Sequence, residues 1–283
     1  MPSANLLLQS LAAGVFIGAL YGLIGLGLSV CWGLLKQINL AHFAWVFLSA
    51  YLTYELKTRL NLDPLISLTI LIPVFAVIAI LVQWLLASFA ITPFNSLMAT
   101  FGLAVSVEAL IQLFWSADFR RMPSQYEEMK FHMGGVIVTY SEALTMLIAL
   151  LASFAVWWVL TKTDTGKCIR ASAEDAEMAR AFGINATKLS LGLAGVCGAL
   201  AACAGVSVAL TFTLAPSQIF AWIGVIFAVV MMGKLASPWA PLLAGLVIGI
   251  SESMTMAITA PSWAPLVSFS LLIVILLTRR SHG

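Results

Sequence analysis

Few residues in this chain carry the means for chemistry, and most of them sit in one polar passage. From Thr165 to Lys188 the sequence reads TGKCIRASAEDAEMARAFGINATK, and with Lys162 just upstream it holds five of the fourteen Lys/Arg residues. Glu174, Asp175 and Glu177 add three acids. Ser172 is placed to cap a short helix, with Asp175 three positions on as a shortened capping box. The acids then fall near the first turn, where the helix dipole favours negative charge. Arg180 lies near the far end, and Gly183 is placed to stop the helix in a left-handed conformation. One face carries Ala176, Ala179 and Gly183, small enough for close approach by another protein. The passage reads either as a docking element or as a solvated surface helix.

The remaining candidates lie within apolar stretches. Asn39 and His42 belong to a polar interruption, Lys36-Gln37-Ile38-Asn39-Leu40-Ala41-His42-Phe43, and share one face if helical. An interfacial turn would explain them. The preferred reading is a broken helix or re-entrant segment lining a water-filled path, since irregular backbone at membrane depth needs protein or a cavity to cover it. A second interruption, Gly233-Lys234-Leu235-Ala236-Ser237-Pro238, follows the short apolar run Ile219–Met232. That run falls below the roughly 20 residues that a full crossing needs. A short, interrupted segment in each half points to a transport pathway. Glu108 and Glu252 are lone acids inside spans. Each costs about 3 kcal/mol at mid-membrane unless paired or hydrated, so each should face the bundle interior. There it lines a pathway or is hydrogen-bonded for packing.

Other chemistries are missing from the sequence. Neither Gly166-Lys167 nor Gly233-Lys234 has the upstream glycine or the hydroxyl residue of a phosphate loop, so ATP hydrolysis by this chain alone is not expected. No zinc-protease motif, nucleophile elbow or cysteine pair is present. The chain reads as no enzyme, with no cofactor, no metal and no nucleic-acid partner. The four cysteines read as small apolar side chains or free thiols.

The elements that hold these residues follow from composition. Of 283 residues 61% are hydrophobic and 9% charged, and mean hydropathy is +1.03. Soluble domains carry about 25% charged residues. The expected fold is all-α: a polytopic transmembrane helix bundle of about eight or nine spans, broken or re-entrant segments among them, forming one domain over 1–283. Gly14-x3-Gly18-x3-Gly22 in the first span, and Gly192, Gly195, Gly198 and Gly205 in the sixth, read as close-packing faces. The passage 116–140 reads as an ordered external loop or short hairpin. With the 162–188 loop inside, nine basic residues fall inside and five outside. The N-terminus is then outside and the C-terminus cytoplasmic.

At this point the residues carry a resemblance. The chain resembles the permease subunits of branched-chain amino acid ABC transporters, of LivH/LivM type. Asn39-Leu40-Ala41-His42 is similar to that family's Asn-Phe-Ala-His-Gly segment. Thr165 to Ala171, with Asp175 and Ala179 to Asn185, resembles its Thr-x-x-Gly-Arg-x-x-Arg-Ala loop and Gly-Ile-Asn end. Within it, Glu177-Met178-Ala179-x3-Gly183 is similar to the Glu-Ala-Ala-x3-Gly signature by which ABC permeases dock on their ATPases. Gly233 to Gly245 resembles a glycine-rich family stretch.

The resemblance implies a coupling helix over Ser172–Phe182, seated in a cleft of cytoplasmic ATP-binding subunits. Arg170, Glu174, Asp175, Glu177, Ala179, Arg180 and Gly183 are then the coupling candidates. Asn39, His42, Phe43, Glu108, Lys234 and Glu252 are the substrate-pathway candidates. It further implies a second homologous permease, a periplasmic substrate-binding protein and a bacterial inner (plasma) membrane, with membrane lipid around the bundle. Phe43 and Lys234 stand where the family usually has glycine, Ala236 replaces another, and Glu108 stands where an uncharged polar residue is expected. These departures touch the substrate path and speak against a branched-chain substrate, leaving urea, short amides or another small carboxylate open beside the branched-chain or related small amino acid that the resemblance implies. The rival reading is an ion-coupled secondary transporter or channel for a small polar solute, with the lone acids carrying the coupling.

Overall fold

A computed structural model describes residues 3–89, 92–133, 135–233 and 235–280. Helices α1 (Ala4–Leu35), α2 (Ala41–Leu60), α3 (Pro64–Ser88) and α4 (Pro93–Trp115) come first. A short helix α5 (Gln125–Glu128) and a hairpin of β1 (Lys130–Met133) and β2 (Val136–Thr139) follow. Then come α6 (Tyr140–Lys162), α7 (Asp164–Glu174), α8 (Ala176–Ala181), α9 (Ala186–Thr211), α10 (Gln218–Met232), α11 (Ala240–Ile258), a 3₁₀ turn at Pro261–Trp263, and α12 (Ala264–Arg280).

The chain is an all-α polytopic bundle. Among the described residues six helices are long and apolar enough to cross a membrane: α1, α3, α4, α6, α9 and α11. Length and composition alone thus stop short of the expected eight or nine spans. The helix α2 carries Glu55, Lys57 and Arg59, and α10 and α12 are only 15 and 17 residues long.

Helix starts follow local chemistry. Asp63 caps α3 through the Leu65 N–H at 2.8 Å, with Pro64 in the first turn where its missing donor is harmless. Thr139 and Glu142 form a reciprocal capping box at α6.

Glycine sets the deepest packing. The first-span glycines meet α11, where a Cβ on Gly18 would come within 2.6 Å of the Gly245 carbonyl oxygen. Only bare backbone permits helices this close, and close approach is what drives helix association in lipid. On α9, Gly198 faces the Phe75 backbone of α3 and Gly205 faces Val46 of α2. Gly192 departs from the expected face: a Cβ there meets nothing within 4 Å.

The two ends of α1 define the two faces of the bundle. Near its start, Gln9 exchanges two 2.8 Å hydrogen bonds with the Ile137 backbone of β2. The 116–140 passage, ordered as the expected hairpin, therefore sits at that end. Arg120 pairs there with Leu214, and the Tyr126 hydroxyl donates to Asp63. Burial and the Asp63 carboxylate push the Tyr126 phenol up to about 12. At the other end, Leu34, Leu35 and Lys36 share a cavity with Ile169 and Ser172 of α7. The 116–140 and 162–188 passages thus lie on opposite faces.

Candidate functional site

The polar passage forms an elbow of two helices rather than one helix from Ser172. Thr163 caps α7 through the Gly166 N–H at 3.1 Å, well before the expected cap at Ser172. Gly166 allows the turn, because a Cβ there would run into the Val159 carbonyl and Leu160 backbone of α6. Asp175 does not complete a box with Ser172. Its Oδ1 accepts the Glu177 and Met178 N–H groups at 2.9 and 3.0 Å and caps α8. Ile169, buried among Leu160, Leu193 and Val30, anchors α7 in this register. Gly183 ends α8 with φ +81°, as expected, and the Ile184 N–H returns to the Ala179 carbonyl at 3.1 Å.

The elbow's outer surface differs from the expected one. Ala179 is buried, so the small side chain turns toward the bundle. Arg170, Glu174, Asp175, Glu177 and Arg180 are exposed, with the Arg180 Nε folded back on the Ala176 carbonyl at 3.0 Å. Beside them protrude Met178, 57% exposed, and Phe182, 81% exposed. These two apolar knobs escaped the sequence reading, which attended to charge and small residues. At the base of α7, Lys167 donates to Asp164 at 2.9 Å and holds its carboxyl below the usual range.

The first interruption is a true break. Lys36 ends α1 at φ 55°, and residues 36–40 are non-helical before α2 begins at Ala41. The break climbs back along α1, so that His42 sits beside Gly27 and lies 3.2 Å from the Ile24 carbonyl. Thr100 of α4 accepts the Leu40 N–H at 3.2 Å. Asn39 is half-buried, and its Oδ1 has no hydrogen-bond partner among the described residues. Phe43 is buried and stacks on Phe227 of α10 with centroids 6.4 Å apart, and Trp32 tilts onto the same ring at 5.7 Å.

The second interruption runs along the same stretch of α1, with Ala236 against Gly33 and Pro241 beside Gly25. Lys234 lies outside the described residues. Ala236 adopts φ 62°, a left-handed conformation at a position where a glycine was expected.

The two acids part company. Glu252 is buried on α11, where it accepts the Tyr21 hydroxyl of α1 at 3.0 Å and that of Ser268 of α12. Glu108 is half-exposed on α4, beside the buried Ala104 and Ile111, and accepts the Gln112 amide at 3.2 Å. Thus the structure gathers Asn39, His42 and Phe43 at one break and leaves Glu108 and Glu252 on separate helices.

Comparison with known proteins agrees with this architecture. A family profile described as the branched-chain amino acid transport system permease component matches residues 10–276. The chain is 25% identical to the high-affinity branched-chain amino acid transport permease BraD of Pseudomonas aeruginosa, over 99% of this chain and 96% of that one. It is also 25% identical to the corresponding permease LivH of Escherichia coli K12, over 95% of this chain and 92% of the relative. The fructose import permease FrcC of Rhizobium meliloti matches at the same identity, over 96% of this chain and 75% of its own length. No solved structure matches the chain. With the profile covering nearly its whole length, the chain belongs to the branched-chain amino acid transport system permease family.

Proposed function

We propose that this permease is the membrane-spanning subunit of a binding-protein-dependent ABC importer for a branched-chain or related small amino acid or amide. One observation carries the reading: the capped α7–α8 elbow presents Met178 and Phe182 among exposed charges, on the face opposite the hairpin. A rigid apolar knob with a charged rim is the anatomy of a protein contact. Cytoplasmic ATP-binding subunits would receive it, and closure of those subunits would push on α7 and the end of α6. The hairpin face would then be periplasmic and meet the binding protein, and α2, α10 and α12 would complete nine crossings.

The solute path in this reading runs past the break at Asn39, His42 and Phe43. The unpartnered Asn39 oxygen offers an acceptor to a passing donor. Glu108, half-exposed on α4, would face the second permease subunit. Glu252 ties α1, α11 and α12 together beside the path.

Uptake into proteoliposomes tests the reading. Transport should require the ATP-binding subunits and ATP, and should be indifferent to proton or sodium gradients. Gradient-driven uptake by the chain alone would support an ion-coupled carrier instead.

A further inference from the structure

The groove between α6 and α9 is not used by the coupling or transport reading. It has a volume of about 430 Å³ and is lined from α6 by Ala152, Ala155 and Val159 and from α9 by Gly192, Val196 and Ala199. Leu160, Leu189, Leu193 and Leu200 add to its apolar lining. Gly192 keeps it open, since an added Cβ would touch nothing there. Lys188 stands at one end, beside Thr165 of α7, and Cys203 marks the other end. Ala155 and Val196 are exposed, so the groove opens sideways out of the bundle.

Dimensions and charge select the occupant. Lys188 to Cys203 spans about 22 Å of helix, against about 15 Å of hydrocarbon in one leaflet. The lining is apolar along this length and opens sideways out of the bundle, which suits an extended hydrocarbon chain entering from the leaflet surface. Lys188 forms no ion pair among the described residues. Lys162, also at this end, lies over the Trp157 ring at 5.7 Å and does not line the groove.

We infer that this groove binds one acyl chain of an anionic phospholipid, with the headgroup phosphate held by Lys188. Through Thr165 and Ile169 the lipid touches α7, so it packs directly against the coupling elbow. The proposal does not depend on the ATPase partner.

Native mass spectrometry tests it on the full chain, purified with whatever subunits it retains and exposed to phosphatidylglycerol or phosphatidylcholine. The wild type should hold one phosphatidylglycerol in preference to phosphatidylcholine. Lys188→Gln should cut that preference about fivefold while leaving chain binding intact. Gly192→Leu, which fills open space and so spares the fold, should remove both lipids. Equal retention of both lipids by all three proteins would overturn the assignment. So would lipid binding that disappears whenever a second permease subunit is present, because the groove would then be a subunit interface.

Discussion

His42 occupies the space that Gly27 leaves vacant, with its Nε2 3.2 Å from the Ile24 carbonyl. A carbonyl can only accept, so the ring carries its proton on Nε2 and the imidazole pins the break to α1. Gly27→Ala would drive a methyl into the ring and should displace the start of α2. The expected outcome is a cost of about 1–3 kcal/mol in thermal or denaturant unfolding, with reduced uptake. His42→Ala in the Gly27→Ala background should recover much of the stability, because the clashing partner is gone.

Phe43 fills the interior between α2 and α10. Phe43→Gly should open a passage beside Asn39 and alter substrate selectivity or rate. It should also cost about 3–5 kcal/mol from the cavity, with about 1 kcal/mol more from glycine in a helix. Co-purification of the ATP-binding subunits should be unaffected, and their loss would refute the separation between path and coupling elbow.

Glu252 depends on partners from two other helices. Tyr21→Phe removes one of its two donors and should destabilise the bundle by about 1–3 kcal/mol. Glu252→Gln should still support ATP-driven uptake. Complete loss of uptake in a well-folded Glu252→Gln protein would move this acid from packing into transport chemistry.

Ala236 holds a left-handed backbone without being glycine. Ala236→Gly should therefore stabilise the fold by about 1 kcal/mol, read as a raised unfolding midpoint, with the second break otherwise unchanged. A lower midpoint would contradict the strained conformation.

Much of this was legible in the sequence. The spacing of Gly14, Gly18 and Gly22 announced a close helix contact, and Gly183 announced a helix stop, because each depends on local backbone freedom. The interruption at Lys36–Phe43 was visible as polar residues within an apolar run. What the sequence hid was tertiary. Ser172 and Asp175 are both competent caps, and the choice between them was made by Ile169 docking between α6 and α9. The face on which Glu108 lies was equally hidden, since apolar residues surround α4 on every side and leave no hydrophobic stripe to orient it. The donors to Glu252 come from positions 231 residues before it and 16 after it, beyond any local pattern.

The central claim is that the α7–α8 elbow seats in an ATP-binding subunit. Co-purification from solubilised membranes tests it most directly, comparing the wild type with Phe182→Glu and Glu177→Arg. Both residues are exposed, so neither change should disturb the bundle. The account predicts that the wild type brings the ATP-binding subunits with it. Phe182→Glu should lose them at least tenfold, and Glu177→Arg should lose them to a lesser degree. Undiminished recovery of those subunits with both variants would contradict the account.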